Sequence, residues 1–250
     1  MTRPATPPAG ANRAARALGD PRSVPDMRWL GRLSGADPDE LQQVLGELGE
    51  KVELERTVHG AHLSHGRDFY AQFRAPFELY AIVRLIRPAH VIETGVSSGV
   101  SSMHLLLGLN ANRRGQLHSI DLPTHQAGPV LSPSESPVCI PPGLDSGWAV
   151  PRSLRRRWDL RIGRSQDVLP HLVRELPSVD LFLHDSHHTP SHLTFELEAV
   201  RPKLHPGSVV MADNTIWTGQ AFDRFARSVG APVLRRRRSD LVALRIPGSP

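Results

Sequence analysis

Short apolar runs alternate with amphipathic stretches along most of the chain. Phe77, Tyr80, Ala81, Val83, Leu85 and Ile86 recur at helical spacing and predict a helix that stops before Pro88. Residues 90–93 then read as a strand, 101–109 as a helix and 116–120 as a second strand. Further strands are predicted within 155–162, at 179–184 and at 208–212, with helices between them. Val233-Leu234 and residues 241–246 read as a closing pair of strands. Strands that alternate with helices build a parallel sheet covered on both faces, so the expected fold class is α/β.

Two regions break this rhythm. Residues 1–25 hold Pro, Ala and Arg without periodicity and are expected to form a disordered tail. After it, Asp37-Pro38-Asp39-Glu40 opens a helix, with Asp37 as N-cap and Pro38 in the first position. Leu41, Val44, Leu45 and Leu48 supply its apolar stripe. Residues 26–68 are therefore expected to form a helical N-terminal cap, packed on a main domain over 69–250. The second break lies between Leu122 and Pro151, where Pro123, Pro129, Pro133, Pro137, Pro141 and Pro142 stand among Gly and Ser. A connection this long is either disordered or functional. It follows the second strand, on the side where α/β sheets bind ligands, and residues 122–150 are read as a lid or substrate-contact loop.

Composition narrows the class. Apolar residues make up 39% and charged residues 22%, which excludes collagen-like, mucin-like and wholly disordered chains. No apolar run approaches the roughly 18 residues of a membrane span. The start lacks the apolar segment of a secretory signal. Cys139 is the single cysteine, which excludes an internal disulfide and a cysteine-based zinc cluster and fits a reducing compartment. A cytoplasmic protein without a membrane partner is expected. Lys+Arg number 30 against 25 Asp+Glu, a net charge of +5. Lys51 and Lys203 are the only lysines, so the arginine excess, beside 23 prolines, reads as coding bias rather than as a polycation. Charge alone gives no support to a nucleic-acid partner. The runs 155–157 and 235–238 are solvated faces, or sites for an anionic substrate or partner.

Candidate chemistry gathers at the predicted strand ends. Glu93-Thr94-Gly95-Val96-Ser97-Ser98-Gly99-Val100-Ser101 lies where the first strand meets a helix. Glycines there let a backbone approach a ligand, and the helix N-terminus offers free N–H groups. The spacing E-x-G-x-x-x-G departs from the dinucleotide pattern, and an acid before the glycines suits a cationic ligand such as an amino-acid ammonium. Asp121, ending the second strand, is placed to accept from ribose hydroxyls. Asp185 and the pair Asp213-Asn214 end neighbouring strands, so two carboxylates and an amide oxygen converge as hard ligands for Mg²⁺ or a similar ion. His184, His187, His188 and His192 cluster nearby, which makes histidine-bound zinc the rival. Beside a metal-bound hydroxyl a histidine makes a general base; His188 is favoured over His187, and His192 is expected to face solvent or to cap a helix begun by Thr189 and Pro190.

At this point the chain resembles the class I S-adenosylmethionine-dependent methyltransferases, and within them the metal-dependent catechol O-methyltransferase group with its bacterial sugar and natural-product relatives. Three stretches carry the resemblance: residues 91–101, residues 163–170, and Asp185 with Met211-Ala212-Asp213-Asn214. It covers roughly 70–220 and implies a Rossmann-like fold, a mostly parallel seven-stranded sheet with helices on both faces and a small helical N-terminal section. By position it implies Glu93, Gly95, Ser97 and Gly99 near the methionine end of S-adenosylmethionine, Ser101 on its carboxylate and Asp121 on its ribose. Ser165 and Gln166 would meet the adenine, and Asp185 would border the donor as well as the metal. Asp185, Asp213 and Asn214 would bind Mg²⁺.

The lysine base of catechol enzymes falls on His188; in the D-x-D-H pattern of the sugar relatives, His187 replaces the second Asp and His188 matches the His. The implied function is Mg²⁺-dependent methyl transfer to a hydroxyl of a small molecule: a natural product, sugar or phenol. A metal-independent N- or O-methyltransferase is the alternative. An Arg-rich nucleic-acid-binding protein with a vestigial cofactor pocket is a third reading, opposed by the intact series of cofactor positions. A homo-oligomer stays open.

Overall fold

Val91, Ile92 and Glu93 alternate their side chains between the two faces of a strand, and both faces are covered. That requirement shapes the protein, whose computed structural model describes residues 24–51, 54, 60, 64, 73–123 and 140–248. The tail expected over 1–25 lies outside the described residues up to 23, and so does the 124–139 part of the Pro-rich connection.

In chain order the described elements begin with α1 (Met27–Ser34), α2 (Pro38–Gly46) and α3 (Pro76–Ile86). They continue with β1 (His90–Thr94), α4 (Val100–Asn112), β2 (Gln116–Asp121), β3 (Trp158–Ile162) and α5 (Ser165–Glu175). Then come β4 (Leu181–His184), α6 (Pro190–Val200), β5 (Val209–Ala212), α7 (Ala221–Ser228), β6 (Leu234–Arg235) and β7 (Val242–Arg245). The expected start signals operate. Asp37 accepts from the amides of Asp39 and Glu40, both at 2.9 Å, and Thr189 accepts from His192 N at 3.3 Å. α3 ends at Arg87, in the left-handed region at φ 50°, before Pro88 forbids continuation. The third strand is shorter than expected: residues 152–157 form a 3₁₀ turn after Pro151. Arg155 holds that turn by donating to the carbonyls of Gly147 and Val150.

Among the described residues the sheet has seven strands, in the order β3-β2-β1-β4-β5-β7-β6. β1 pairs in parallel with β2 and β4, β3 with β2, and β5 with β4; only β7 runs against its neighbours. Strand order reverses between β1 and β4, and in open α/β sheets the crevice beyond the carboxyl ends at such a switch binds ligands. One face carries Val91, Leu117, Leu181, Leu183, Val209 and Met211 against α1–α4. The other carries Ile92, Ile120, Phe182 and Val210 against α5–α7.

The N-terminal helices are part of the first core rather than a separate shell: Leu30, Leu33, Leu45 and Leu48 are fully buried in it. α1 also covers the sheet edge, where the Trp29 indole donates to the Leu234 carbonyl at 3.0 Å. Among the described residues no helix is long and apolar enough to cross a membrane.

Candidate active site

Between β1 and α4 the chain turns through three left-handed residues, Gly95 (φ 86°), Ser97 (φ 52°) and Gly99 (φ 96°). Gly95 is there for space as well as φ. A β-carbon on it would stand 2.0 Å from the Asp185 carbonyl oxygen, so the turn lies directly on the chain leaving β4. α4 has no side-chain cap at Gly99, which leaves backbone N–H groups at its start for a ligand. Asp121 at the end of β2 accepts from Val96 N at 3.0 Å through one carboxylate oxygen. Ser146 donates to the other.

Ser146 belongs to the end of the Pro-rich connection. Residues 146–150 are strapped onto the turn: Gly147 N donates to Ser97 O at 2.7 Å and Ala149 N to Ser98 O at 3.0 Å. A β-carbon on Gly99 would meet Val150 at 2.4 Å. The last residues of the expected lid, 146–150, are thus packed on the glycine turn by backbone hydrogen bonds.

Glu93 lies beneath the turn with no exposed surface. Ser101 donates to one carboxylate oxygen at 2.6 Å, and Ser102 and Ser119 to the other at 2.6 and 2.7 Å. Burial pushes its carboxyl up to about 7 despite the three hydroxyls, which pull it down. The expected carboxylate rim for an ammonium is instead a buried hub that orders the serines.

A consequence for stability follows. Between the ordinary value of 4.5 and about 7, the folded protein keeps a proton that the unfolded chain has lost. Stability therefore falls as pH rises through that window, by about 3 kcal/mol for this group. Glu93→Gln removes this slope. Urea unfolding of wild type and variant from pH 4.5 to 8 is expected to show the difference shrinking with pH, and a constant difference would count against it.

The ends of β4 and β5 bring Asp185, Asp213 and Asn214 together. Asp213 is buried, and burial, then the charge of Asp185, push its carboxyl up to about 7. His188 joins them, its Nε2 lying 3.4 Å from an Asp185 oxygen and 3.4 Å from the Asn214 amide nitrogen. His187 turns elsewhere and sets its ring edge against His192, centroids 5.4 Å apart. The geometry therefore separates the two candidate bases and leaves His188 beside the carboxylates. Among the described residues no group of three or more His, Cys, Asp or Glu side chains could hold a metal ion. The converging set is two carboxylates and one amide, which suits Mg²⁺, since that ion commonly takes one or two carboxylates and keeps several waters. Two acids forced together, Asp213 buried and Asp185 half-buried, are also the arrangement that a bound cation relieves.

His192 departs from its expected place. It is buried, not solvent-facing, and belongs to a network centred on Glu196. Glu196 is fully buried and accepts from Thr94 at 2.6 Å, His184 Nδ1 at 2.7 Å, Ser186 at 2.9 Å and His192 Nε2 at 2.9 Å. The two histidines hold its carboxyl far below the usual range, against a desolvation penalty that alone would raise it. His192 also meets Ser165 Oγ and the Gln166 amide nitrogen, both at 3.0 Å. This commits His184 Nδ1 and both ring nitrogens of His192, and among the described residues the histidines form no group that could hold the rival zinc. Ser165 and Gln166 open α5, so the stretch 163–170 is mostly the first turns of a helix. The sequence reading missed Glu196. Its signal was the i,i+4 spacing from His192, which puts the two on one face of α6.

Residues 92–215 match a family model described as a methyltransferase domain, Methyltransf_24. With the seven-stranded sheet, this decides the class. The chain carries a class I methyltransferase domain. No curated protein sequence matches the methyltransferase. Solved structures share its fold. One is a protein from Klebsiella pneumoniae assigned as an O-methyltransferase, at 20% identity and TM-score 0.55, covering 78% of this chain and 90% of that one. The O-methyltransferase TomG from Streptomyces achromogenes, involved in tomaymycin synthesis and solved with SAM, gives 18% identity and TM-score 0.54, covering 78% and 89%. An O-methyltransferase from Bacillus cereus solved with SAH gives 16% identity and TM-score 0.51, covering 87% and 96%. At these identities the likeness is one of fold.

Proposed function

We propose that this methyltransferase transfers a methyl group from S-adenosylmethionine to a hydroxyl of a small molecule, aided by Mg²⁺ or a similar cation held by Asp185, Asp213 and Asn214. The observation that carries this reading is the convergence of those three residues with His188, against the glycine turn whose Gly95 abuts Asp185. On this reading Gly95, Ser97, Gly99 and Ser101 border the methionine end of the donor. Glu93 acts from below by fixing Ser101. Asp121 takes the ribose, and Ser165 and Gln166 take the adenine. Ile216 and Trp217, 66% and 53% exposed just after Asn214, offer an apolar surface to the body of the acceptor. That fits a natural product or phenol better than a bare sugar.

The donor supplies an electrophilic methyl group, and the cation, when bound, lowers the pKa of an acceptor hydroxyl. The chain supplies the rest. His188 Nε2 removes the hydroxyl proton. Asp185 beside it stabilises the imidazolium that forms, as an opposite charge does at this range. The turn and the β4 and β5 ends hold donor and acceptor in register, which can lower the barrier by about 7–11 kcal/mol. The strap at 146–150 keeps water from the glycine turn.

Among the described residues two carboxylates converge here, which makes metal-independent transfer the second reading. Incubation with methyl-labelled S-adenosylmethionine and a panel of phenols, polyketides and sugars decides between them. Turnover is expected with Mg²⁺, absent in EDTA and restored by excess Mg²⁺. Full turnover in EDTA would establish the second reading, and labelling of amines alone would end the hydroxyl assignment.

A further inference from the structure

Glu196 and His192 have no part in the reaction above, yet every polar side-chain atom of both is hydrogen-bonded. Their bonds have a direction that propagates. Glu196 accepts from Thr94 and His184 on one oxygen and from Ser186 on the other. A carboxylate has no proton to give, so the His192 Nε2 lying 2.9 Å from it carries the hydrogen. Nδ1 faces the Gln166 amide nitrogen at 3.0 Å, a group that can only donate, so Nδ1 holds the lone pair that receives it.

Two consequences reach the start of α5. The Gln166 amide is pinned nitrogen-inward, so its carbonyl oxygen is left as an acceptor for a ligand. Ser165 Oγ lies 3.0 Å from the same Nε2, whose one hydrogen it shares with Glu196 as acceptor, so its own hydrogen is left to donate. The pair thus offers one donor and one acceptor, in fixed order.

We propose that His192, clamped by Glu196, is a positioning and specificity-determining residue that sets this order and makes the site read a 6-aminopurine rather than a 6-oxopurine. The inference rests on the reading that Ser165 and Gln166 meet the donor's nucleobase. Adenine presents an exocyclic N–H donor beside ring-nitrogen acceptors, matching a carbonyl acceptor beside a hydroxyl donor. A 6-oxopurine carries an acceptor where adenine has its N–H group. Against the pinned Gln166 carbonyl, that oxygen meets another lone pair. With the His192 tautomer fixed, the amide cannot flip to accommodate it.

The test compares binding of S-adenosylhomocysteine with that of S-inosylhomocysteine, its deaminated analogue, by calorimetry. Wild type is expected to prefer the adenosyl compound by roughly 10–100-fold, the range for one unmade hydrogen-bond pair. In His192→Leu the preference is expected to collapse to within about threefold, because neither Gln166 nor Ser165 keeps its orientation. Glu196→Gln keeps the shape and reads the same point: an amide there can donate to Nε2, permit the other tautomer and let Gln166 turn. It too is expected to lose most of the preference. Should His192→Leu not fold, Glu196→Gln carries the test alone. An unchanged preference in the folded variants, whatever happens to absolute affinity, would overturn the proposal and leave the cofactor reading standing. Binding of neither compound by wild type would overturn both.

Discussion

Replacing His188 by glutamine lowers kcat by roughly 10²–10⁴-fold, the usual worth of a placed general base, while the donor Kd stays near wild type. Glutamine keeps a polar group of similar reach but cannot take a proton near neutral pH. The neighbours explain why His188 is the one to test. Its Nε2 is 3.4 Å from Asp185 and 3.4 Å from Asn214, whereas His187 packs its ring on His192. His187→Gln is therefore expected to change donor binding more than kcat. Steady-state turnover with labelled donor, paired with calorimetry on each variant, separates the two effects. A His188→Gln enzyme turning over at the wild-type rate would return the base role to His187 or to solvent.

Arg236→Leu is expected to cost about 3–5 kcal/mol of stability, the range for breaking a buried ion pair by deleting one partner. Arg236 Nε lies 2.5 Å from a Glu78 oxygen, and both side chains are almost wholly buried. The same guanidinium donates to the Val24 carbonyl at 3.1 Å, and Glu78 accepts from Asp26 N at 3.0 Å. One deletion therefore loosens the start of α1, α3 and the β6–β7 turn together. The double variant Glu78→Leu/Arg236→Leu is expected to recover most of the loss, because it removes both charges. Urea midpoints of the three proteins check this. A single variant as stable as wild type would show that the pair contributes nothing net.

Much of the architecture was legible because the pattern that marks it is the pattern that buries it. Alternation around Val91 and Ile92, the caps at Asp37 and Thr189, and the breaks at Pro88 and Pro151 each encode a local physical constraint. The strand ends were legible for the same reason: Asp185 and Asp213-Asn214 follow apolar runs whose register is fixed by two covered faces. What escaped the sequence depends on approach across the fold. Glu93 looks like a ligand acid when read along the chain. Only the packing of Ser119 from β2 and Ser101 and Ser102 from α4 shows its oxygens taken. His192 looks exposed behind Pro190, and only the seating of α6 against β4 and the first turn of α5 turns it inward. Nothing along the chain tells that Ser146 would find Asp121, since they stand 25 positions apart across irregular sequence.

That last contact alters what a visiting sugar can gain. Both Asp121 oxygens are already engaged, one by the Val96 amide and one by the Ser146 hydroxyl. A ribose hydroxyl that claims the second oxygen from Ser146 trades one O–H···O⁻ bond for another. Its reward is the small difference between two alike partners, not the worth of a whole new bond. A hydroxyl that instead uses the second lone pair of an Asp121 oxygen, as Ser102 and Ser119 share one oxygen of Glu93, leaves Ser146 in place.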